Sequence, residues 1–393
     1  MRNNDILNLL DLQEVILKKQ KFSKKNIELW LECPVKEHLC PSCDSITSKI
    51  HDYRERSFNH ITVDRRTSKI YYNQRRYKCK HCGKEFAENN NFIQKYYRHS
   101  NNVVNNVFDD LTTIKNLSQI GQDNNMSSQN VSRLMNKFMP IFHKTTSLPE
   151  AIGIDEFKGN TGGNKFQVVI TDLKTHKVID IVSSRSEDAL YNFFSKISNP
   201  KDVKLVTMDL SLFFKSIIAD VLPNAKIVAD TFHFTRLMHW ALDNVRKEVQ
   251  KDLPKDMRIY FKHSRYVLHK RIKDLKPDQY TQLTNMLDYD ENLRWAHSII
   301  QNLFEIIDEK NPDKKVSLFK EFMTYASNCN LPEFNKHIQT YFRWHKYIIN
   351  SFYTNYSNGI TEGLNTKIKT LKRISFGFRN FKNFRLRILM ACS

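Results

Sequence analysis

The sequence predicts an α/β layered core joined to a large all-helical block, with a basic, cysteine-containing module ahead of both. Three observations carry that expectation. From Ile152 onward, apolar β-branched runs (AIGIDEF, FQVVITDL, KVIDIVSS, VKLVTMD, AKIVAD) alternate with turns and amphipathic stretches. From about 235 to 350 the strand signals vanish, and the pattern becomes long, charged and helical. Ahead of the strands lie two Cys-x-x-Cys pairs within a basic, strand-like stretch.

Taken in order, the opening MRNNDILNLLDLQEVILKKQ reads as an amphipathic leader helix within 1–32, with acids inside its apolar pattern and no export cleavage site. Residues 33–90 form the cysteine module and 91–148 a set of short helices. Residues 149–235 are the first part of the α/β core: three strands, a helix capped by Ser186, a strand, a helix from Ser211 to Val221, and a strand. Residues 236–355 are the helical block. Residues 356–393 add a basic helix, NGITEGLNTKIKTLKR, and an aromatic, Arg-rich tail.

Charge narrows the function class. Among 393 residues there are 62 Lys plus Arg against 42 Asp plus Glu, a formal net of +20. Such a field attracts polyanions, nucleic acid foremost. No apolar run reaches the roughly 18–20 residues needed to span a bilayer, so a membrane partner is not expected. Seven cysteines, an odd number with two close pairs, point to metal binding instead of a disulfide framework. Cytoplasmic residence, associated with the nucleoid, is the expectation.

Cys40-Pro-Ser-Cys43 and Cys79-Lys-His-Cys82 are two knuckles able to offer Zn²⁺ four thiolates tetrahedrally. Gly83 suits the tight turn, and a zinc ribbon is the natural reading. Cys33 and His38 lie near enough in sequence to replace one ligand. Arg65, Arg66, Arg75 and Arg76 give the module candidate phosphate contacts. Downstream, NLSQIGQDNNMSSQNVSRLMNKF holds two helical patterns around the break Asp123-Asn124-Asn125, a helix-turn-helix pattern. Ser128, Gln129, Asn130 and Arg133 would stand at the exposed start of its second helix, where base edges are read. An ordinary helical hairpin has the same pattern.

Three acids occupy positions suited to phosphodiester chemistry. Asp155 lies in the first core strand, Asp209 ends the fourth, and Glu362 opens the last basic helix. Acids at strand ends face the crevice where α/β folds place their sites. Such chemistry uses two hard cations, Mg²⁺ or Mn²⁺, held by carboxylate oxygens. Asn365, Lys369 and Arg373 follow Glu362 by three, seven and eleven residues, on the same helix face. Lys369 and Arg373 are therefore candidate DNA contacts. Asp230, three residues before His233, competes with Asp209 for the second position; Asp209 is favoured because its strand is the fourth. His233 would then touch the scissile phosphate or a leaving group. Helix capping is the alternative for both aspartates. Trp295 and Trp344 are candidates for stacking on a flipped base, although burial in a helical core is the commoner fate of an indole.

Together these motifs resemble the ISL-three-type family of bacterial insertion-sequence transposases. The resemblance rests on the paired cysteine knuckles, GIDEF at 153–157, the strand ending in Asp209, ADTFHF at 229–234, NGITEGLNTKIK at 358–369 and the GFRNFKNFRLRI tail. It implies a ribonuclease-H-like catalytic core with a large all-helical insertion, preceded by the zinc ribbon and helix-turn-helix. It also implies a catalytic triad of Asp155, Asp209 and Glu362, with Asp230 and His233 as support. The implied substrates are double-stranded DNA carrying the element's terminal inverted repeats and target DNA, bound by a homodimer or higher oligomer. Two rivals share these modules: a non-catalytic DNA-binding regulator, and a ribonuclease-H-like nuclease that cuts without joining.

Overall fold

The structure is a computed structural model that describes residues 3–12, 14–138 and 145–392. The chain forms two compact units, Met1–His143 with Thr370–Ser393, and Lys144–Lys369.

The first unit opens with α1 (Asn3–Leu9) and then a sheet. Its strands are β1 (Ile16–Phe22), β2 (Asn26–Glu32), β5 (Ile50–Val63), β6 (Arg66–Lys78) and β7 (Glu85–Ala87), in the order β1-β2-β6-β5 with β7 also on β6. A small pair, β3 (His38–Leu39) and β4 (Ile46–Thr47), sits between them in sequence. The expected leader helix over 1–32 is therefore corrected to one short helix and two strands. The apolar residues Ile27, Leu29 and Leu31 alternate with period two and are buried against Ile70 and Tyr72. That alternation outweighs the helical spacing read into the opening residues. A boundary at 33 would cut this sheet in half.

Three helices follow: α2 (Asn101–Leu111), α3 (Leu117–Asp123) and α4 (Ser128–Lys137). Each starts at a side-chain cap, Ser100, Asn116 and Ser127 respectively, whose oxygen accepts an otherwise orphaned backbone N–H. At Gly121 a β-carbon would lie 2.6 Å from the Met126 carbonyl oxygen, so glycine permits the tight passage from α3 to α4. The tail helix α14 (Phe381–Cys392) belongs to this unit and not to the α/β core expected from the sequence. Its Leu386 and Met390 fill the core formed by Val107, Leu111, Ile120 and Val131.

In the second unit, β8 (Ala151–Phe157), β9 (Gln167–Asp172), β10 (Lys177–Val182), β11 (Leu205–Met208) and β12 (Lys226–Ala229) form one sheet of order β10-β9-β8-β11-β12. Strands β8, β9 and β10 run antiparallel in sequence, whereas β11 lies parallel to both β8 and β12. Helices α5 (Glu187–Phe194) and α6 (Leu212–Val221) bury Leu190, Phe194, Phe214 and Ile217 against Ile152, Ile154, Ile170 and Met208. The chain then leaves β12 as α7 (Thr231–Lys251) and continues through α8 (Lys255–Leu268), α9 (Pro277–Tyr289), α10 (Glu291–Asp308), α11 (Pro312–Asn328) and α12 (Pro332–Phe352). These helices share their own apolar core, including Met238, Leu242, Ile299, Leu303 and Tyr341. The chain returns to the sheet with α13 (Gly359–Ile374).

Candidate active site and metal centre

The start of α13 is seated on a row of small residues. Cross-strand register aligns Thr171, Gly153 and Thr207 on β9, β8 and β11. The buried Thr361 hydroxyl lies 2.8 Å from that of Thr171, and the Thr207 hydroxyl donates to Asn358 Oδ1 at 3.3 Å. Gly153 is required here because a β-carbon would meet the Thr361 oxygen at 2.2 Å. This seat fixes the next residues of α13. Asn365, also buried, donates from Nδ2 to Asp155 Oδ2 at 2.6 Å. Glu362 lies on the same turn, and one ligand atom from each of Glu362, Asp230 and His233 falls within 4.8 Å of the others.

Neither aspartate proposed for the second position spends its side chain on capping a helix, although Asp230 occupies the N-cap position of α7. Ser211 caps α6, and Asp230 begins α7 without a side-chain capping bond. Instead Asp230 Oδ2 meets His233 Nδ1 at 2.9 Å. That bond raises the proton affinity of His233 against the opposing effect of burial. Burial, with the charge of Asp209 added, pushes Asp155 up to about 6. Burial also raises Asp209, with His233 and Arg185 acting against it. Asp209 Oδ1 is buried without a hydrogen-bond partner among the described residues. Beside them Glu156 pairs with Arg185 at 2.7 Å. Asp230, His233 and Glu362 thus stand together as possible ligands, and Asp155 and Asp209 lie near enough to feel each other's charge and that of His233, so the five form an acidic pocket. Asn365 was legible as a face neighbour of Glu362. The roles of Gly153, Thr361 and Arg185 were not, since each depends on cross-strand register.

In the first unit, ligand atoms of Cys40, Cys43, Cys79 and Cys82 lie within 4.8 Å of one another. The closest sulfurs are Cys40–Cys82 at 3.5 Å and Cys43–Cys79 at 3.6 Å. The Ser45 hydroxyl lies 3.5 Å from the Cys43 sulfur and helps lower the proton affinity of that thiol, while the neighbouring thiols raise that of Cys82. A four-thiolate set of this kind fits a zinc ribbon. Cys33 is not an alternative ligand: its sulfur lies 3.4 Å from the Tyr72 hydroxyl, and burial raises its proton affinity. His38 packs on the Tyr77 ring, with centroids 4.4 Å apart.

The expected DNA contacts divide. Arg75 is corrected: it is buried and paired with Glu32 and Glu88, so it braces the sheet. Its strand position faces inward, which charge alone could not reveal. Arg76 is held by Asp52 at 2.9 Å and Glu85 at 3.1 Å. Arg65 stands exposed in the β5–β6 turn with φ +60°, and Arg66 beside it pairs loosely with Asp64. On α4, Gln129 and Arg133 are exposed and Ser128 and Asn130 half-buried. Lys369 and Arg373 are exposed along α13. Trp344 is fully buried and does not serve as a base platform; Trp295 packs near Tyr325 and donates to Glu291 at 3.4 Å.

Comparison with known proteins bears directly on this arrangement. The profile of a transposase family of the ISL-three type matches residues 152–388, more than half of the chain, and spans every residue of the acidic pocket. The chain belongs to that transposase family. A separate profile, for a domain of unknown function, matches residues 40–128. The chain is 21% identical over 388 residues to the transposase for insertion sequence element IS1001 of Bordetella parapertussis, covering 93% of this chain and 92% of the relative. It is 24% identical over 255 residues to the transposase for element IS1557 of Mycobacterium tuberculosis, covering 58% and 57%. A shorter stretch of 99 residues is 37% identical to an ATP-dependent protease of Lactococcus lactis, covering 25% of this chain and 30% of that one. The sequence has no G-x-x-x-x-G-K-[ST] phosphate loop to accompany that last likeness. Among the described residues, no helix of this family member is long and apolar enough to cross a membrane.

Proposed function

We propose that this chain cleaves DNA at the ends of an insertion sequence and joins the freed 3′ ends to target DNA, using Asp155, Asp209 and Glu362 as metal-holding carboxylates. The observation that carries this reading is the convergence of these acids with Asp230 and His233, from distant points in the chain, at one end of the sheet. Strand order β10-β9-β8-β11-β12, with three antiparallel strands and two parallel ones, supports a ribonuclease-H-like core into which α7–α12 are inserted.

The acids fit a pair of hard divalent ions, Mg²⁺ or Mn²⁺: they offer oxygen donors, and the orphaned Asp209 Oδ1 needs a partner. Such ions supply an activated water or 3′-hydroxyl and neutralise the leaving oxygen. The protein's own groups do the rest. Asn365 orients Asp155 through one oxygen. Asp230 holds His233 by Nδ1, leaving Nε2 to meet a phosphate oxygen, and favours the charged ring that a phosphate would attract.

In the first unit, Zn²⁺ on the four cysteines would rigidify the β-ribbon, and Ser128, Gln129, Asn130 and Arg133 would read base edges from the start of α4. Arg65, Arg66, Lys369 and Arg373 would neutralise phosphates, and pairing of two ends calls for at least a dimer.

The test is cleavage and joining of labelled DNA carrying the element's own ends, in Mg²⁺, by wild type and by Asp155→Ala, Asp209→Ala, Asp230→Ala and Glu362→Ala. Wild-type nicking and joining, lost in the first, second and fourth variants while end binding persists, is the expected result. Activity in Asp209→Ala with none in Asp230→Ala moves the second acid. Cutting without joining indicates a nuclease, and binding without cutting in any divalent metal indicates a regulator.

A further inference from the structure

The first three turns of α7 carry a feature that the acidic pocket does not use. Phe232, Arg236 and Trp240 follow one another at intervals of four, on one face of the helix. The Arg236 guanidinium is sandwiched between the two rings, 5.2 Å from Phe232 and 4.9 Å from Trp240. Both rings are about half exposed, 54% and 51%, although large aromatics usually bury themselves. They border a cavity of about 350 Å³ that reaches back to His239, Arg265 and His269. Two buried polar atoms on this cavity lack hydrogen-bond partners among the described residues, Arg236 Nε and His269 Nε2. Arg265 lies at its rim, its guanidinium loosely paired with Asp243 at 3.8 Å and half exposed.

We propose that this face and cavity hold one unstacked nucleotide of the DNA strand beside the cut. The inference rests on the DNA-cleaving reading above and adds to it a binding site. The cavity volume lies at the low end of the roughly 300–1,000 Å³ of small-ligand sites. It therefore suits one nucleotide and excludes a duplex. Two half-exposed aromatic rings offer stacking to any base, which is how sequence-tolerant sites take single strands. Arg236 and Arg265 supply cations for the flanking phosphates, and His269 Nε2 supplies an unpaired group for a base edge.

Position links the cavity to the chemistry. Phe232 is adjacent to His233, their rings 5.7 Å apart edge to face. Trp240 lies seven residues further along α7, about 10 Å at 1.5 Å per residue. That is about three nucleotide steps at the 3.4 Å spacing of stacked bases. The other tryptophans are committed elsewhere: Trp344 is buried, Trp30 stacks on Tyr71 at 4.7 Å, and Trp295 donates to Glu291.

The experiment is permanganate oxidation of end DNA bound by the full chain, with thymines placed one at a time across the cleavage point. End binding and cleavage are measured on the same samples. Wild type should make one thymine within about three steps of the cut hyper-reactive. Trp240→Ala should abolish that reactivity and weaken binding of a thymine single strand about tenfold, the usual loss for one stacked base. Trp240→Phe should restore both. Wild type that binds and cuts while every thymine stays protected, or Trp240→Ala that keeps the hyper-reactive thymine, overturns the nucleotide site and leaves the cleavage reading standing. Wild type that neither binds nor cuts overturns both.

Discussion

Thr361 rests on Gly153 so closely that a β-carbon at Gly153 would lie 2.2 Å from its hydroxyl oxygen. The same carbon would meet the Thr171 hydroxyl at 2.6 Å. Together with the Thr171–Thr361 and Thr207–Asn358 bonds, this approach returns to β8 a helix that follows more than a hundred residues of helical block. Glu362 and Asn365 come with it.

Gly153→Ala should therefore act on catalysis and stability together. Overpacking of this kind costs about 1–3 kcal/mol, and the sheet cannot yield without breaking cross-strand pairing. We expect a lower Tm and loss of DNA cleavage, with the metal content of the cysteine cluster unchanged. An alanine variant with wild-type cleavage would show that α13 tolerates displacement, and that Gly153 does not set the position of Glu362.

The cysteine cluster should bind about one zinc per chain. Cys79→Ser should lose that zinc and, with it, binding of end DNA, because Cys79 directly follows β6 and joins that strand to the turn of Cys40 and Cys43. Elemental analysis with gel-shift binding checks both. Full zinc occupancy in Cys79→Ser would remove Cys79 from the ligand set, and end binding by metal-free protein would sever the ribbon from recognition.

Much of this was legible in the sequence for a physical reason. Strand ends are marked by the change from β-branched runs to capping residues, so Asp209 and Asp230 announced themselves, and cysteine pairs declare their own spacing. What required the structure was register and facing. Arg75 looked like a phosphate contact among other arginines, yet the pleat turns it toward Glu88. For Trp344 the sequence left base stacking open beside the commoner burial, and α12 packs its indole into the helical core. Ile27, Leu29 and Leu31 alternate as a strand should, but the run before them carries enough apolar residues at helical spacing to mislead. The Phe232–Arg236–Trp240 ladder emerged only with the structure, which shows its two rings half exposed.

Arg387, on α14, braces the passage from α2 to α3. It is fully buried, and its guanidinium donates to the carbonyl oxygens of Leu111, Thr113 and Lys115 where α2 passes into α3. Burial lowers its proton affinity to about 10, so it remains charged at neutral pH. Arg387→Met keeps much of the bulk but strands those carbonyls. It should destabilise the first unit by about 3 kcal/mol and weaken end binding. Thermal unfolding followed alongside gel shift is the check, and an unaltered Tm would mean that water replaces the guanidinium without cost.

Acid should loosen the helical block through its buried histidines. His297 is nearly inaccessible, bonded to Gln301 at 3.1 Å, and burial depresses it to about 4; His239, against His269, is likewise depressed to about 4. A histidine in the unfolded chain titrates near 6.5. Between these values the unfolded state holds a proton that the folded state refuses, so stability falls as pH falls. Each such histidine contributes a loss of about 1.4 kcal/mol per pH unit within that window. Above about pH 7 the effect vanishes, because both states are neutral. His297→Gln retains a hydrogen-bonding side chain and removes the titration. Denaturant unfolding measured from pH 7 to 5 should show a shallower loss in His297→Gln than in wild type. Identical slopes would mean that His297 accepts its proton without unfolding, and that the block opens locally to admit water.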